Sequence, residues 1–452
     1  MSARGRSAPK GRALGGALAL VWVVGCQALL DPEGHEHPGP VELPADPCET
    51  NADCAAGGVC EREGGATGRC APCWRAVGSF DVHPGGALES FDVLVTEGDD
   101  GPVALVGVVT DRAGGSAELH AVPLGPRLHP DPGMGRVESL TARAGLPAAR
   151  ALRLRHVDWA DGREAVATAA VLAEAGGTLR AWAGPALDPD DAGVARDVAG
   201  TASPHAALVG SAFGDGDGPR AWLSWLEDGR VRAIHLAEDR TEEARFAPVD
   251  APFLAGIDGG VVFGASASET ASAWVVEGDA APVTLATPER AGPVGAAARA
   301  GRLHVLGWRR AGARASLLEL DCLERCGPPT AGPTSLWGRG PLTATSLAQS
   351  RVGPLVGLLH DDERDGPRVW LSVLAPDLAP RTLPGTGTYV EVDAPASLAS
   401  VAALRIAAAP RPAAPWPVAV AERRREPAGP DWIRVFVVRA CGTGPDDLRP
   451  PP

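Results

Sequence analysis

The sequence predicts an all-β chain: a β-propeller of about seven blades behind a small disulfide-rich module, with tandem β-sandwiches as the alternative architecture. Three observations predict it. Short apolar runs separated by Gly-, Asp- and Pro-rich turns recur from about Val77 to Ala440. Candidate final strands of successive units begin near Leu119, Leu179, Val231, Trp274, Leu317, Trp370 and Ile433, at spacings of 60, 52, 43, 43, 53 and 63 residues. Periods of this size with three or four strands each are those of propeller blades. No stretch of the region sustains a 3.6-residue apolar period, so helices are expected to be few.

In chain order, four basic residues (Arg4, Arg6, Lys10, Arg12) precede an apolar run from Ala13 to Gly25 that ends at Cys26. The run is short for a membrane span and suits the apolar region of an export signal. Val23-Val24-Gly25-Cys26 resembles the bacterial lipobox, in which a small residue precedes a cysteine that is lipidated and becomes the new N-terminus. The resemblance implies a signal peptide over 1–25 and a lipid (palmitate-type) anchor on Cys26 that holds the chain at a membrane. Gln27 after the cysteine points to the outer membrane of the cell envelope, by similarity to sorting rules in some Gram-negative bacteria. An ordinary signal peptide and a secreted chain is the alternative. Residues 26–47 are rich in Pro and acids and read as an extended tether. His35 and His37 lack further ligands nearby, so no metal is expected there.

Nine cysteines follow from the same address, because an oxidising compartment favours bridges. Cys48, Cys54, Cys60, Cys70 and Cys73 cluster in residues 48–76. This pattern resembles the short Cys-rich modules of surface proteins in GC-rich predatory and soil bacteria, which share no common activity. So small a piece cannot bury a core of its own, and disulfides are expected to replace it. A four-cysteine zinc site is the alternative, but only Cys70 and Cys73 have knuckle spacing. Cys322 and Cys326 can close locally. Cys441 ends the last strand, and Cys73 precedes the first strand of the repeat region, 77–442. If the region closes into a ring, a Cys73–Cys441 bridge can latch it. Residues 443–452 read as a flexible tail.

Within the repeat region the clearest unit is Ala206–Leu236, read as three strands with a hairpin turn at Asp228-Gly229, where Gly adopts positive φ freely. Second strands of the other units are expected at Val103–Val109, Ala165–Ala173, Val261–Ala265, Leu303–Trp308, Leu355–Leu359 and Trp416–Ala421. An entry phrase recurs as Asp100-Gly-Pro-Val-Ala-Leu, Asp217-Gly-Pro-Arg-Ala-Trp-Leu and Asp365-Gly-Pro-Arg-Val-Trp-Leu. Trp222-Leu223-Ser224-Trp225-Leu226 is bulky on both faces, which suits a strand packed between two blades. Residues 212–218 are similar to the calcium loops of integrin-type propellers, but the later acid is missing and other units lack the pattern, so a polar turn is expected.

Functional signals are sparse. The net charge of −14 becomes −18 once the four basic residues of the signal are removed, and so acidic a surface repels phosphate backbones. No nucleic-acid partner is expected. The single Lys and single Asn among many Ala, Gly, Pro and Arg match a GC-rich codon bias and carry no functional reading. There is no Gly-x-Ser-x-Gly elbow, phosphate loop, His-Glu-x-x-His helix or dinucleotide fingerprint. His156 with Asp158, and His360 with Asp361 and Asp362, are acid–base pairs on paper but read as strand-end surface residues. Arg423-Arg424-Arg425 reads as a solvated hairpin tip. No catalytic residue, cofactor or metal is assigned. The expectation is a lipid-anchored binding or scaffold protein whose ligand is an envelope protein or a glycan. The alternative is a propeller-type polysaccharide hydrolase or lyase with acids drawn from several blades. Convergence of three or more buried arginines or carboxylates would favour the latter.

Overall fold

A computed structural model describes most of the chain from Pro47 to Cys441. Several strand connections lie outside the described residues, among them 112–114, 158–165, 201–205, 211–220, 246–250, 322–329 and 332–340. Over 251–340 only the backbone of the strands is described.

The chain opens with a three-stranded sheet of β1 (Pro47–Cys48), β2 (Gly58–Glu61) and β3 (Gly68–Pro72), in the order β1-β3-β2. β4 (Arg75–Val82) follows at once. The first blade is β5 (Leu88–Gly98), β6 (Gly101–Thr110), β7 (Ser116–Pro123) and β8 (Arg136–Ser139). A single helical turn, α1 (Leu140–Arg143), leads onward, capped by the Ser139 side chain on the Ala142 N–H. The second blade is β9 (Ala149–Val157), β10 (Val166–Ala175), β11 (Thr178–Pro185) and β12 (Val194–Ala199). The third is β13 (Ala206–Gly210), β14 (Ala221–Glu227), β15 (Arg230–His235) and β16 (Arg240–Arg245). The fourth is β17 (Ala251–Ile257), β18 (Gly260–Ser266), β19 (Thr270–Val276) and β20 (Val283–Ala286). The fifth is β21 (Gly295–Arg299), β22 (Arg302–Trp308), β23 (Ala315–Asp321) and β24 (Thr330–Ala331). The sixth is β25 (Leu342–Ser350), β26 (Gly353–Asp362), β27 (Gly366–Val373) and β28 (Val390–Asp393). The seventh takes β29 (Val401–Ala408), β30 (Trp416–Arg424) and β31 (Trp432–Ala440) from the end of the chain and β4 from its beginning.

These are seven four-stranded antiparallel sheets, and the first strand of each touches the first strand of the next all the way round, β29 returning to β5. The fold is a seven-bladed β-propeller. The expected second strands fall on the second strand of each blade. The expected final strands are the third strands; each blade has a fourth, outer strand that the apolar pattern did not mark. The outer strand β8 (Arg-Val-Glu-Ser) shows why: it is largely exposed and carries one apolar residue.

Each described seam between blades buries its own apolar cluster. Val93, Val106, Ala421 and Val435 belong to the seam of blades seven and one, and Leu105, Leu119, Leu152 and Val171 to that of blades one and two. Leu172, Leu223 and Trp225 pack blade two on blade three. β14 is buried on both faces, with Trp222, Leu223 and Trp225 at most 1% exposed, as its composition requires. At the hairpin that follows, Asp228 takes a φ of 47°, the left-handed geometry of a primed turn.

Ring closure is both hydrogen-bonded and covalent. β31 pairs with β4 from Ile433–Val82 to Arg439–Arg75, and Cys73 is bonded to Cys441 across 368 residues of chain. Arg434 reaches across the same pair to Asp81 with two hydrogen bonds of 2.8 and 2.9 Å. Arg439 donates to the Pro72 carbonyl (2.8 Å) and to Glu61 (2.6 Å), which ties the N-terminal sheet to the closing blade.

Candidate functional site

The propeller brings its first strands to the inner ring, and a repeated irregularity fixes their relative register. In β5, β9, β25 and β29 the pairing with the second strand skips one residue near the start: Glu89, Arg150, Thr343 and Ala402. A bulge of this kind re-aims the residues beyond it. Three residues on, the equivalent positions are Asp92, Arg153, Ser346 and Arg405. Asp92 and Ser346 both sit opposite a glycine of the second strand, Gly107 and Gly357. A Cβ at Gly107 would overlap Leu152, and one at Gly357 would lie 2.9 Å from Ile406, so close packing of the next inner strand requires glycine there.

This layer stitches the blades together. The Leu154 N–H of β9 donates to Asp92 Oδ2 at 3.0 Å, and the Ile406 N–H of β29 donates to Ser346 Oγ at 3.1 Å. Inner strands of neighbouring blades do not form a ladder, so side chains answer their outward N–H groups. Arg153 spans three blades: it donates to Ser90 Oγ (2.9 Å) on the first, to Leu152 O (2.6 Å) on its own strand, and to Ala206 O on the third.

The electrostatics of the layer are lopsided. Arg155 pairs with Asp92 at 3.1 Å, and Arg405 lies over the Phe91 ring at 5.5 Å from its centroid. Burial pulls the Arg153 guanidinium down to about 10; Asp92 opposes that shift, while Arg405 and Arg155 add to it by repulsion. Arg405 is lowered for the same reasons, burial first. Asp92 bonds Arg155 directly, and its charge acts on Arg153 and Arg405 from further away. Its side chain is 3% exposed, whereas that of Arg155 is 44% exposed and Arg405 is half-buried, so solvent reaches two of the three cations.

A second feature opens at the end of the ring where the first and second strands turn. A cleft of about 1000 Å³ between blades one and two is lined by Glu97, Asp99, Asp100, Asp131, Arg136 and His156, among others. Burial pushes His156 down to about 4, with Arg155 adding repulsion, so the imidazole is neutral at pH 7. His156 and Arg155 are adjacent in β9, and successive strand residues point to opposite faces. The cleft histidine and the inner-ring arginines therefore serve different surfaces.

Among the expected disulfide residues, Cys48 bonds Cys60 and Cys54 bonds Cys70, with Cα separations of 5.7 and 5.4 Å; the third bond is Cys73–Cys441. The sulfurs of Cys48, Cys54 and Cys70 lie within 4.8 Å of one another because these two bridges are stacked. Cys26, Cys322 and Cys326 lie outside the described residues, as do the turn at 212–218 and Asp158. His360 is buried and stacks on Trp370 with ring centroids 6.2 Å apart, so it is not a strand-end surface residue. The arginine run at 423–425 is a correction. Arg425 is exposed, but Arg424 is 8% exposed, pairs with Asp393 of blade six, and lies 2.5 Å from the fully buried Glu422. Alternation along β30 sends Arg424 inward between two exposed-side neighbours. The inner-ring layer was not singled out from sequence. Its signal was Arg153-Leu-Arg155, charge alternating with apolar residues in an otherwise aliphatic strand.

No family model and no curated protein matches the chain. Solved structures do. A virginiamycin B lyase from Staphylococcus aureus aligns over 80% of this chain and 98% of its own, at 11% identity and a TM-score of 0.41. A protein of unknown function from Dyadobacter fermentans aligns over 82% and 100%, at 10% identity and 0.45. Hsv2 of Kluyveromyces lactis aligns over 77% and 97%, at 10% identity and 0.40. Likenesses this distant carry no assignment of chemistry. The chain is an all-β, seven-bladed propeller behind a disulfide-bonded N-terminal sheet.

Proposed function

We propose that this protein is an exported, lipid-anchored binding or scaffold module of the bacterial cell envelope, held by Cys26 and presenting the ring to an envelope protein or a glycan. The observation that carries the reading is the Cys73–Cys441 bond, which joins the two ends of the propeller. Bonds of this kind persist in oxidising compartments. The basic and apolar residues before Gly25-Cys26 agree with such an address. Metabolic labelling with a palmitate analogue tests it. The wild-type chain takes up label and sediments with membranes, and Cys26→Ala does neither. An unlabelled wild-type chain found in the medium replaces the anchor with plain secretion. Glycan-array and envelope pull-down binding of the purified chain tests the ligand class, and silence in both rejects the binding role.

The inner-ring arginines favour a second reading, a polysaccharide hydrolase or lyase. Cations there would neutralise an acidic sugar. Against it stands the placement of His156 on the opposite face of β9, away from Arg155, and the carboxylate beside the cations, Asp92, is already taken by the Val93 and Leu154 N–H groups and Arg155. Release of reducing ends or unsaturated sugars from acidic polysaccharides by the purified chain would establish that reading.

A further inference from the structure

We propose that the inner ring between blades seven, one and two holds a small oxyanion, a carboxylate, sulfate or phosphate group, gripped by the guanidiniums of Arg405 and Arg155. Charge counting along the seven inner strands leads there. β13, β17, β21 and β25 contain no Asp or Glu, and β9 and β29 contain none either. The inner-strand acids are Glu89, Asp92 and Glu97, all on β5. Glu89 is drawn to Arg150, 3.7 Å away at the bulge, and Glu97 lines the cleft at the far turn. In the middle, Asp92 accepts from Arg155, and among the described residues it is the acid whose charge also acts on Arg153 and Arg405; two positive charges remain in excess on a chain whose net charge is −14.

Asp92 is already committed. Its Oδ1 accepts from the Val93 N–H at 3.0 Å, and its Oδ2 accepts from Leu154 N–H and Arg155. It serves as a fixed latch and cannot swing to a second cation. Arg153 is committed as well, with three acceptors on three strands. Arg405 differs. Among the described residues it donates one hydrogen bond, to Leu404 O at 3.0 Å, and it packs on Phe91. A guanidinium carries five N–H groups in a planar fork, which matches the paired oxygens of an oxyanion. Three cations held close around one acid repel one another, and a bound anion removes that repulsion. The exposed edge of Arg155 provides the way in.

Calorimetric titration of the full chain at pH 7 in a zwitterionic, low-salt buffer tests this with four probes: sulfate, inorganic phosphate, acetate and glucuronate. One-to-one saturation by at least one probe is expected. Response to acetate and glucuronate alone assigns a carboxylate, and response to sulfate and phosphate alone assigns a tetrahedral oxyanion; both outcomes support the site. Arg405→Gln and Arg155→Gln should each weaken binding at least tenfold. Arg136→Gln, in the cleft, should leave it within twofold. Asp92→Asn keeps an acceptor for Leu154 N–H but removes the competing charge, and should tighten binding several-fold. A purely structural layer would not show that gain. Arg155 is exposed, so its variant decides the matter if Arg405→Gln fails to fold by circular dichroism. Absence of saturation by all four probes overturns the proposal. So does binding that survives both arginine variants.

Discussion

Two charged clusters flank the closing blade, and they settle their charge in opposite ways. On the inner ring the charge of Asp92 answers three arginines, one of them, Arg155, in direct contact and open to solvent. In the seam with blade six, Arg424 contacts both Asp393 and Glu422, with Arg434 acting from further away, and Glu422 is fully buried. The close Arg424–Glu422 approach favours a charged carboxylate. Yet Asp393 also claims that guanidinium, and the Glu422 carboxyl is fully buried. Burial wins, and Glu422 is pushed up to about 8, with Asp393 adding repulsion. The seam neutralises its surplus by taking a proton, because a carboxylate can. An arginine cluster cannot shed its charge near pH 7, so the ring keeps its surplus and leaves Arg155 to solvent.

Arg424 carries the largest expected effect. Arg424→Met leaves two acids in the seam and should cost about 3 kcal/mol in urea unfolding, softened by Glu422 staying protonated. Arg153→Met on the ring should cost about 2 kcal/mol, since it orphans Ala206 O and Ser90 but also relieves repulsion. A loss as large as that of Arg424→Met would show that the ring cluster is not strained by its own charge. The proton in the seam predicts a pH slope. Glu422 ordinarily titrates near 4.5, so between there and about 8 the folded chain holds a proton that the unfolded chain has lost. Stability is then fullest below pH 4.5 and falls as pH rises to 8, by up to about 1.4 kcal/mol per pH unit from this group. Subtracting the profile of Glu422→Gln isolates that slope, and identical profiles would refute the buried proton. The smallest effect belongs to the exposed Arg434–Asp81 pair: Asp81→Asn should cost about 0.5 kcal/mol and fade in high salt, as a thermal melt in each buffer will show.

How far the sequence speaks differs between these regions. Second and third strands such as Trp416–Ala421 are aliphatic on both faces because blades sandwich them, so their composition announces them. Outer strands such as β8 carry little apolar signal, and inner strands such as β13 are short and rich in alanine. Ring closure was readable from Cys73 and Cys441, which lie at the two ends of the repeats. The charged layers were not, because each is assembled from strands that are far apart in sequence. Asp92, Arg153 and Arg405 become neighbours only once the bulges at Glu89, Arg150 and Ala402 set a common register. Arg424 was misjudged for a related reason. A run of three arginines looks uniformly wet until strand alternation turns the middle one inward.

The borrowed outer strand carries a consequence for the living chain. β4 emerges from the ribosome long before β29, β30 and β31, yet its partner in the sheet is β31. A chain made from its N-terminus therefore carries an unmatched edge until its last blade has arrived. Any product shortened before Cys441 keeps that edge exposed and the Cys73 thiol idle, which marks an unfinished ring off from a finished one.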